Sequence, residues 1–233
     1  MNIVIITAGG IGSRLNKEIP KQFLEINNKP LLVYTFDKFQ NHKDIDAIIC
    51  VCLKGWENLI EEYRQKYNIS KLKHIVAGGA TNQESIFNGI QEAKKHYDKN
   101  DVILIQDGNR PFTSQKIITD NILTTQKYDA CSTIIDSIDA LSLSEKDGLI
   151  TKTLNRNLIK RLQTPQSAKL WKLDKIYQLA KEKNISNSVT VGQLLNDFGE
   201  DVHCVMGSKF NIKITDNEDL ALFNIIQQSS FTQ

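Results

Sequence analysis

The chain has 233 residues, 40% of them apolar and 24% charged, with a formal net charge of +2. That length gives one large domain with a substantial core and is too short for two of usual size, and the composition excludes disordered and membrane-embedded classes. A near-neutral balance also argues against the basic footprint of a nucleic-acid binder.

The opening run Met-Asn-Ile-Val-Ile-Ile-Thr has neither the basic start nor the small-residue cleavage site of a secretory leader, so a cytoplasmic protein is expected. Apolar β-branched runs then alternate with amphipathic stretches. Ile3–Thr7, Ala47–Leu53, His74–Ala77, Val102–Gln106 and Ala130–Ile135 read as buried strands, and Leu31–Gln40, Trp56–Tyr67, Gln83–His96 and Gln115–Thr125 carry helical spacing. This order predicts an α/β fold, a Rossmann-like layered sheet of mostly parallel strands with helices on both faces. Its ligands bind beyond the carboxyl ends of the strands.

From Asp136 to Asn157 the pattern breaks. The turn-like Glu145-Lys-Asp-Gly148 lies between the short runs Ala140–Leu143 and Leu149–Thr153, which predicts a projecting hairpin. A two-stranded ribbon is marginal alone, so packing against a second copy is expected, making the chain one domain with a dimerisation arm. Helices over Leu170–Lys183, Val189–Phe198 and Asn217–Gln227 and a strand over Val202–Met206 complete the reading. Of the four cysteines, Cys50 and Cys52 share a strand without the turn a metal-binding pair needs, so they read as buried thiols. The four histidines are scattered and form no visible metal or catalytic constellation.

The chemistry gathers after the first strand, in Thr7-Ala-Gly-Gly-Ile-Gly-Ser-Arg-Leu15 and Pro20-Lys-Gln-Phe23. Gly9, Gly10 and Gly12 let backbone N–H groups approach an anion, and Arg14 and Lys21 add fixed positive charge. That suits a triphosphate whose bridging oxygen gains charge as pyrophosphate leaves. A dinucleotide-binding turn is the competing reading, but Leu15 stands where its third glycine belongs, and no P-loop lysine follows.

Ala8-Gly-Gly-Ile-Gly-Ser-Arg14 with Pro20-Lys-Gln-Phe23 resembles the signature loop of the cytidylyltransferases that form CDP-methylerythritol, CDP-ribitol and related CDP-alcohols. The likeness continues, in family order, through Gly78-Gly-Ala-Thr-Asn-Gln-Glu-Ser85, Asp107-Gly-Asn-Arg-Pro-Phe112, Gln163-Thr-Pro-Gln166 and Asn211-Ile-Lys-Ile-Thr215. The resemblance implies transfer of CMP from CTP to a phosphorylated alcohol with release of pyrophosphate. It implies Arg14, Lys21 and Lys213 as catalytic cations, and Ala8, Gly9, Gly10, Gly12, Gly78, Gly79, Ser85 and Gly108 as the CTP site. Asp107, at a strand end, is implied as the Mg²⁺ ligand, while Arg156, Asp139 and Asn109 are expected on the acceptor side, Arg156 reaching across a homodimer.

The match departs from the methylerythritol enzymes near the acceptor. Their His-Asp-Ala-Ala-Arg-Pro is Gln106-Asp-Gly-Asn-Arg-Pro111 here, and Thr81-Asn82 stands where an arginine usually precedes the serine. Val189-Thr-Val-Gly192 replaces a Thr-Asp-Asp or Thr-Asp-Ala run, and Asp139-Ala140 an Asp-Thr. Asparagine supplies hydrogen bonds without an arginine's charge. The leading reading is therefore a cytidylyltransferase for a polyol or sugar phosphate that feeds a surface polymer. The methylerythritol 4-phosphate enzyme of isoprenoid synthesis, an NAD(P)-dependent oxidoreductase and a catalytically silent nucleotide-binding protein are the alternatives.

Overall fold

The computed structural model describes residues 1–10 and 20–228. Its centre is a seven-stranded sheet, and four of the expected strands form one half of it side by side and parallel. These are β1 (Asn2–Ala8), β4 (Ala47–Cys52), β5 (Leu72–Ala77) and β6 (Val102–Asp107); β2 (Glu25–Ile26) and β3 (Lys29–Pro30) form a small separate ribbon between them in the chain. Successive side chains of a strand point to opposite faces, and β1 shows it. Ile3 and Ile5 pack in one apolar layer with Ile86 and Ile90 of α3 (Asn82–His96). Val4 and Ile6 pack in the other layer with Phe36 of α1 (Leu31–Gln40) and Ile60 of α2 (Glu57–Lys66). Both layers are closed to water, so truncating a central side chain such as Ile5 or Phe36 to alanine costs roughly 2–5 kcal/mol.

Cys50 and Cys52 lie inside the second layer, fully buried in β4. Burial, with Glu57 adding to it, pushes the Cys52 thiol up to about 12, so both are packing groups.

The other half of the sheet departs from the sequence expectation. After α4 (Gln115–Tyr128) come β7 (Ala130–Asp136), the arm strands β8 (Leu141–Leu143) and β9 (Lys152–Leu154), and then β10 (Lys160–Lys169). β10, a strand the periodicity did not predict, runs antiparallel between β6 and β7. After α5 (Leu170–Glu182) and α6 (Val191–Asp197), β11 (His203–Met206) closes the sheet in the order β11-β7-β10-β6-β1-β4-β5. Gln163, Gln166 and Ser167 of β10 are buried, so polar pairs take the place of an apolar run. Thr125 and Ser167 hydroxyls lie 2.7 Å apart, and Ser167 donates to Asn121 at 3.1 Å.

The register of β10 against β7 breaks between Gln163 and Gln166. The Thr164–Pro165 peptide there is cis, and Thr164 faces the end of β6.

The hairpin is present as expected: β8 pairs antiparallel with β9, and Gly148 turns the chain with φ +74°. The run Asn211–Thr215, whose alternation of apolar and polar residues reads as a strand, forms no sheet strand; it is a strap leading to α7 (Asn217–Gln228). Among the described residues, no helix is long and apolar enough to cross a membrane.

Candidate active site

The carboxyl ends of β1, β4, β5 and β6 share one edge of the sheet, and the segments following β1, β5 and β6 enclose, with Lys213, a cavity of about 350 Å³. Ala8, Gly9, Gly10, Lys21, Gly79, Ser85, Asp107, Asn109 and Lys213 all line it. Gly12 and Arg14 lie outside the described residues. Gly78 and Gly108 stand just behind the wall: Gly78 donates its N–H to the Cys52 carbonyl at 2.7 Å, and Gly108 donates to Thr7 at 2.9 Å.

Lys21 begins a single helical turn, Lys21–Phe23, whose position is set by its neighbours. Gln22 is buried and donates to the Ala8 carbonyl at 2.7 Å, while the Phe23 ring stacks on Trp56 with centroids 4.5 Å apart. The first contact ties the turn carrying Lys21 to the end of β1, and the second anchors it to the start of α2.

The opposite wall is the start of α3. Thr81 caps the helix, its hydroxyl accepting from the Glu84 N–H at 3.1 Å. Ser85 accepts from the Gly79 N–H at 3.1 Å and donates to the Thr81 carbonyl at 2.9 Å, so one hydroxyl ties the Gly-Gly loop to the helix. Ser85 is thus both a helix-start residue and a cavity residue. Gly79 has no room for a side chain, because a Cβ there would lie 2.3 Å from Glu84 Cγ.

Asp107 ends β6 at the cavity floor. Its backbone N–H donates to Thr164 Oγ1 at 3.1 Å, its Oδ2 accepts from Arg110 Nε at 3.0 Å, and its Oδ1 accepts from Lys213 Nζ at 3.1 Å. Burial by itself would raise the carboxyl's pKa, but the Lys213 and Arg110 charges outweigh it and hold the group below the usual aspartate value. The carboxylate is ionised at neutral pH.

Lys213 comes from the far end of the chain and owes its place to the strap. Asn109 donates from Nδ2 to the Ile214 carbonyl at 2.6 Å and accepts the Ile214 N–H at 2.9 Å. Buried Asn211 donates to the Thr164 carbonyl at 2.8 Å and accepts from Thr113 at 3.1 Å, and its own carbonyl accepts from Arg110 at 2.7 Å. These bonds pin the strap on either side of Lys213, whose side chain is still 43% exposed toward the cavity. Asn109, expected on the acceptor side, lines the cavity with its amide nitrogen committed to this support.

A second opening, of about 220 Å³, adjoins the first at Asp107 and Lys213. Asn82, Arg110, Gln163, Thr164, Gln166 and Thr190 contribute its polar lining. Gln106, one of the substitutions near Asp107, is fully buried; its amide nitrogen donates to Thr113 Oγ1 at 3.1 Å. Arg156 and Asp139 are not brought to either cavity. Arg156 lies at the base of the arm, donating to the Ile138 carbonyl at 3.2 Å beside Asp136 and Lys160. Asp139 is exposed next to it, its carbonyl accepting from Ser137.

Gln22, Arg110 and Asn211 were quoted within motifs but given no role by sequence reasoning. Their partners, the Ala8 carbonyl for Gln22, and Asp107 and the Asn211 carbonyl for Arg110, are set by the fold rather than by any local pattern.

The chain has counterparts among known proteins over nearly its whole length. A family profile described as 2-C-methyl-D-erythritol 4-phosphate cytidylyltransferase (IspD) matches residues 2–229. The chain is 36% identical to a ribitol-5-phosphate cytidylyltransferase of Vibrio parahaemolyticus, over 97% of this chain and 95% of that protein. It is 37% identical to a 2-C-methyl-D-erythritol 4-phosphate cytidylyltransferase of Clostridium botulinum, over 95% of each. The crystal structure of the 4-diphosphocytidyl-2C-methyl-D-erythritol synthase of Anaerococcus prevotii superposes with a TM-score of 0.82 at 30% identity, covering 97% of this chain and 96% of that one. Fold and site together define an α/β nucleotidyltransferase. More narrowly, the chain belongs to the IspD family of cytidylyltransferases. Enzymes of this family take CTP and a phosphorylated alcohol and generally use a divalent metal ion. That membership sets aside the oxidoreductase reading of the glycine-rich turn.

Proposed function

We propose that the protein transfers CMP from CTP to ribitol 5-phosphate, releasing pyrophosphate, in the cytoplasmic supply of an activated polyol for a surface polymer. Identity alone does not separate the two acceptors named among the relatives, at 36% and 37%. The observation that carries the choice is that the departures from the methylerythritol enzymes, Thr81-Asn82 in place of an arginine and Val189-Thr-Val-Gly192 in place of a Thr-Asp run, bring Asn82, Val189, Thr190 and Val191 to the opening beyond Asp107. Arg110 and Lys213 line it as cations paired with the ionised Asp107, and the rest of its polar lining, Thr7, Asn82, Gln163, Thr164, Gln166 and Thr190, is neutral. Neutral donors and acceptors suit the hydroxyls of a linear polyol, and the cations suit its phosphate.

In this reading CTP occupies the first cavity, its base against the Gly79–Ser85 loop and its triphosphate between the glycine-rich loop, Lys21 and Arg14. The acceptor phosphate is already ionised and needs no general base. It attacks the α-phosphorus in line, forming one P–O bond as the bond to pyrophosphate breaks. Lys213 takes up charge on the α-phosphate, so positioning and charge compensation supply most of the acceleration. Asp107 is the group that fits Mg²⁺: a hard, ionised oxygen donor at the wall shared by both openings. An ion held by Asp107 would supply charge screening for the triphosphate and Lewis-acid polarisation of the attacked phosphorus.

The arm exposes Ile138, Leu149, Ile150 and Leu158, each more than half exposed. A second copy covering them would bring Arg156 to the partner's acceptor opening, in keeping with its distance from the cavity of its own chain.

The test is pyrophosphate release with CTP and Mg²⁺ from ribitol 5-phosphate and from methylerythritol 4-phosphate, side by side. A kcat/KM at least tenfold higher for the ribitol ester is the expected result. The reverse preference would return the chain to the isoprenoid branch.

A further inference from the structure

We infer that His74, Glu92 and His96 form a binding site for a transition-metal dication of the Zn²⁺ class, separate from Asp107. Sequence reading found no constellation among the histidines because His74 belongs to β5 and His96 to α3; the fold brings them together. Glu92 and His96 are four residues apart on α3 and so share one helix face. His74 reaches them from β5, the strand at the sheet's edge.

Glu92 Oε1 is the shared point. His96 Nε2 lies 3.1 Å from it and His74 Nδ1 3.6 Å, and one donor atom from each of the three residues falls within 4.8 Å of the others. The two imidazoles stack with centroids 4.1 Å apart, and the Tyr97 ring abuts both edge-on, at 5.9 and 6.3 Å. Two anchored elements and a ring buttress therefore keep the three residues together, and because the stacked rings lie 17° from parallel, one ring must turn for both to ligate a single ion. His96 is 42% exposed, which leaves it room to turn its nitrogen toward an ion.

The donor set fixes the class of ion. Two imidazoles and a carboxylate select Zn²⁺ and its neighbours over Mg²⁺ and Ca²⁺, which prefer oxygen alone. The protonation states agree: burial, then the neighbouring His96, lowers the His74 pKa, so its ring is neutral and able to ligate at neutral pH. Glu92 is held ionised, chiefly by its hydrogen bond from Lys95. Lys95 takes the other oxygen, Oε2, at 2.6 Å, leaving Oε1 toward the rings. Lys73 and Lys95 are the cations facing the cluster, and their repulsion keeps the affinity below that of a closed structural site.

An ion here would staple the edge strand to its packing helix. β5 runs directly into Gly78-Gly79, and α3 carries Ser85 at its other end, roughly 16 Å along the helix from His96. The clamp therefore braces the two elements that hold the nucleotide-side loop.

The experiment uses metal-free, untagged full-length protein with Mg²⁺ in excess to occupy Asp107, titrated with Zn²⁺ by calorimetry and followed by thermal unfolding. Co²⁺ serves as an optical reporter of nitrogen ligation. One Zn²⁺ per chain, a raised Tm and a Co²⁺ d–d band are expected for the wild type and for Asp107→Asn. In His74→Asn and in His96→Gln the binding should weaken beyond the roughly 10–100-fold that loss of an outer-shell partner costs. Turnover with Mg²⁺ alone should be unchanged in His96→Gln, whose exposed position makes misfolding an insufficient explanation. Equal Zn²⁺ isotherms in wild type and both variants, or no Zn²⁺ binding to the wild type, would overturn the site.

Discussion

Lys213 Nζ lies 3.1 Å from Asp107 Oδ1, though 106 positions separate the two in the chain. The pair joins the last strap of the fold to the end of β6, and both members line each of the two adjoining openings. Asp107 is also held by Arg110, so its charge is doubly compensated before any substrate enters. An arriving triphosphate would compete with Asp107 for the lysine, and that exchange is the basis of the first prediction.

Lys213→Ala and Lys21→Ala should each lower kcat by roughly 10²–10³-fold, the usual cost of removing one donor to transition-state charge. The KM for CTP should move far less than kcat in Lys213→Ala. Steady-state kinetics at saturating Mg²⁺ decides the matter, and near-normal turnover in both variants would remove these lysines from the chemistry.

Asp107→Asn should weaken activity and Mg²⁺ dependence together, read from a metal titration of turnover; an unshifted titration would take Asp107 out of the metal site. The same substitution has a second signature in acid. Since Lys213 and Arg110 hold the folded carboxyl below its unfolded value of about 3.9, its stabilising contribution is complete above that pH and is lost as pH falls through the lower folded value. Between about pH 5 and pH 3 the Tm of Asp107→Asn should therefore fall less steeply than that of the wild type. Parallel curves would contradict that assignment.

Asn211 has no exposed surface and bonds Thr113, Thr164 and Gln163 through its side chain. Asn211→Ala removes these bonds and takes from the Thr164 carbonyl its Asn211 donor, a loss of about 1–3 kcal/mol for that group. The expected result in denaturant unfolding is a loss of at least that size, with reduced kcat because the strap carrying Lys213 loosens. Wild-type stability would mean that water replaces the lost bonds.

β1, β4 and β6 of the parallel half, and β7 in the other half, were legible because they are near-continuous apolar runs, as strands buried on both faces must be. β10 was not. Lys-Arg-Leu-Gln-Thr-Pro-Gln-Ser-Ala-Lys contains a proline and no apolar run, and its burial is satisfied by Asn121, Thr125 and Ser208 from elements distant in sequence. Asn211–Thr215 misled in the opposite direction: its alternation resembles a strand, but its bonds go to Asn109, Thr113 and Thr164 rather than to a sheet neighbour.

Gly9, Gly10, Gly79, Lys21, Ser85, Asp107 and Lys213 could be named from motifs, and they line one cavity. Which side chains aim and which support could not be read in the same way. Asn109 was expected to meet the acceptor, and only the geometry reveals its bond to Ile214.

If a second copy covers the arm, deleting Asp139–Leu149 should convert a dimer to monomers and raise the KM for the acceptor much more than that for CTP. Light scattering and kinetics on the same sample test this together. A fully active monomer would rule out Arg156 acting across an interface.

The most direct test of the central claim is to follow the ³¹P spectrum of CTP, Mg²⁺ and ribitol 5-phosphate with enzyme. The account predicts loss of the CTP signals with equal growth of pyrophosphate and of a new pair of coupled diphosphate-diester doublets, the signature of attack at the α-phosphorus. Release of inorganic phosphate in place of pyrophosphate, or intact CTP in the presence of measurable CTP binding, would contradict cytidylyl transfer to this acceptor.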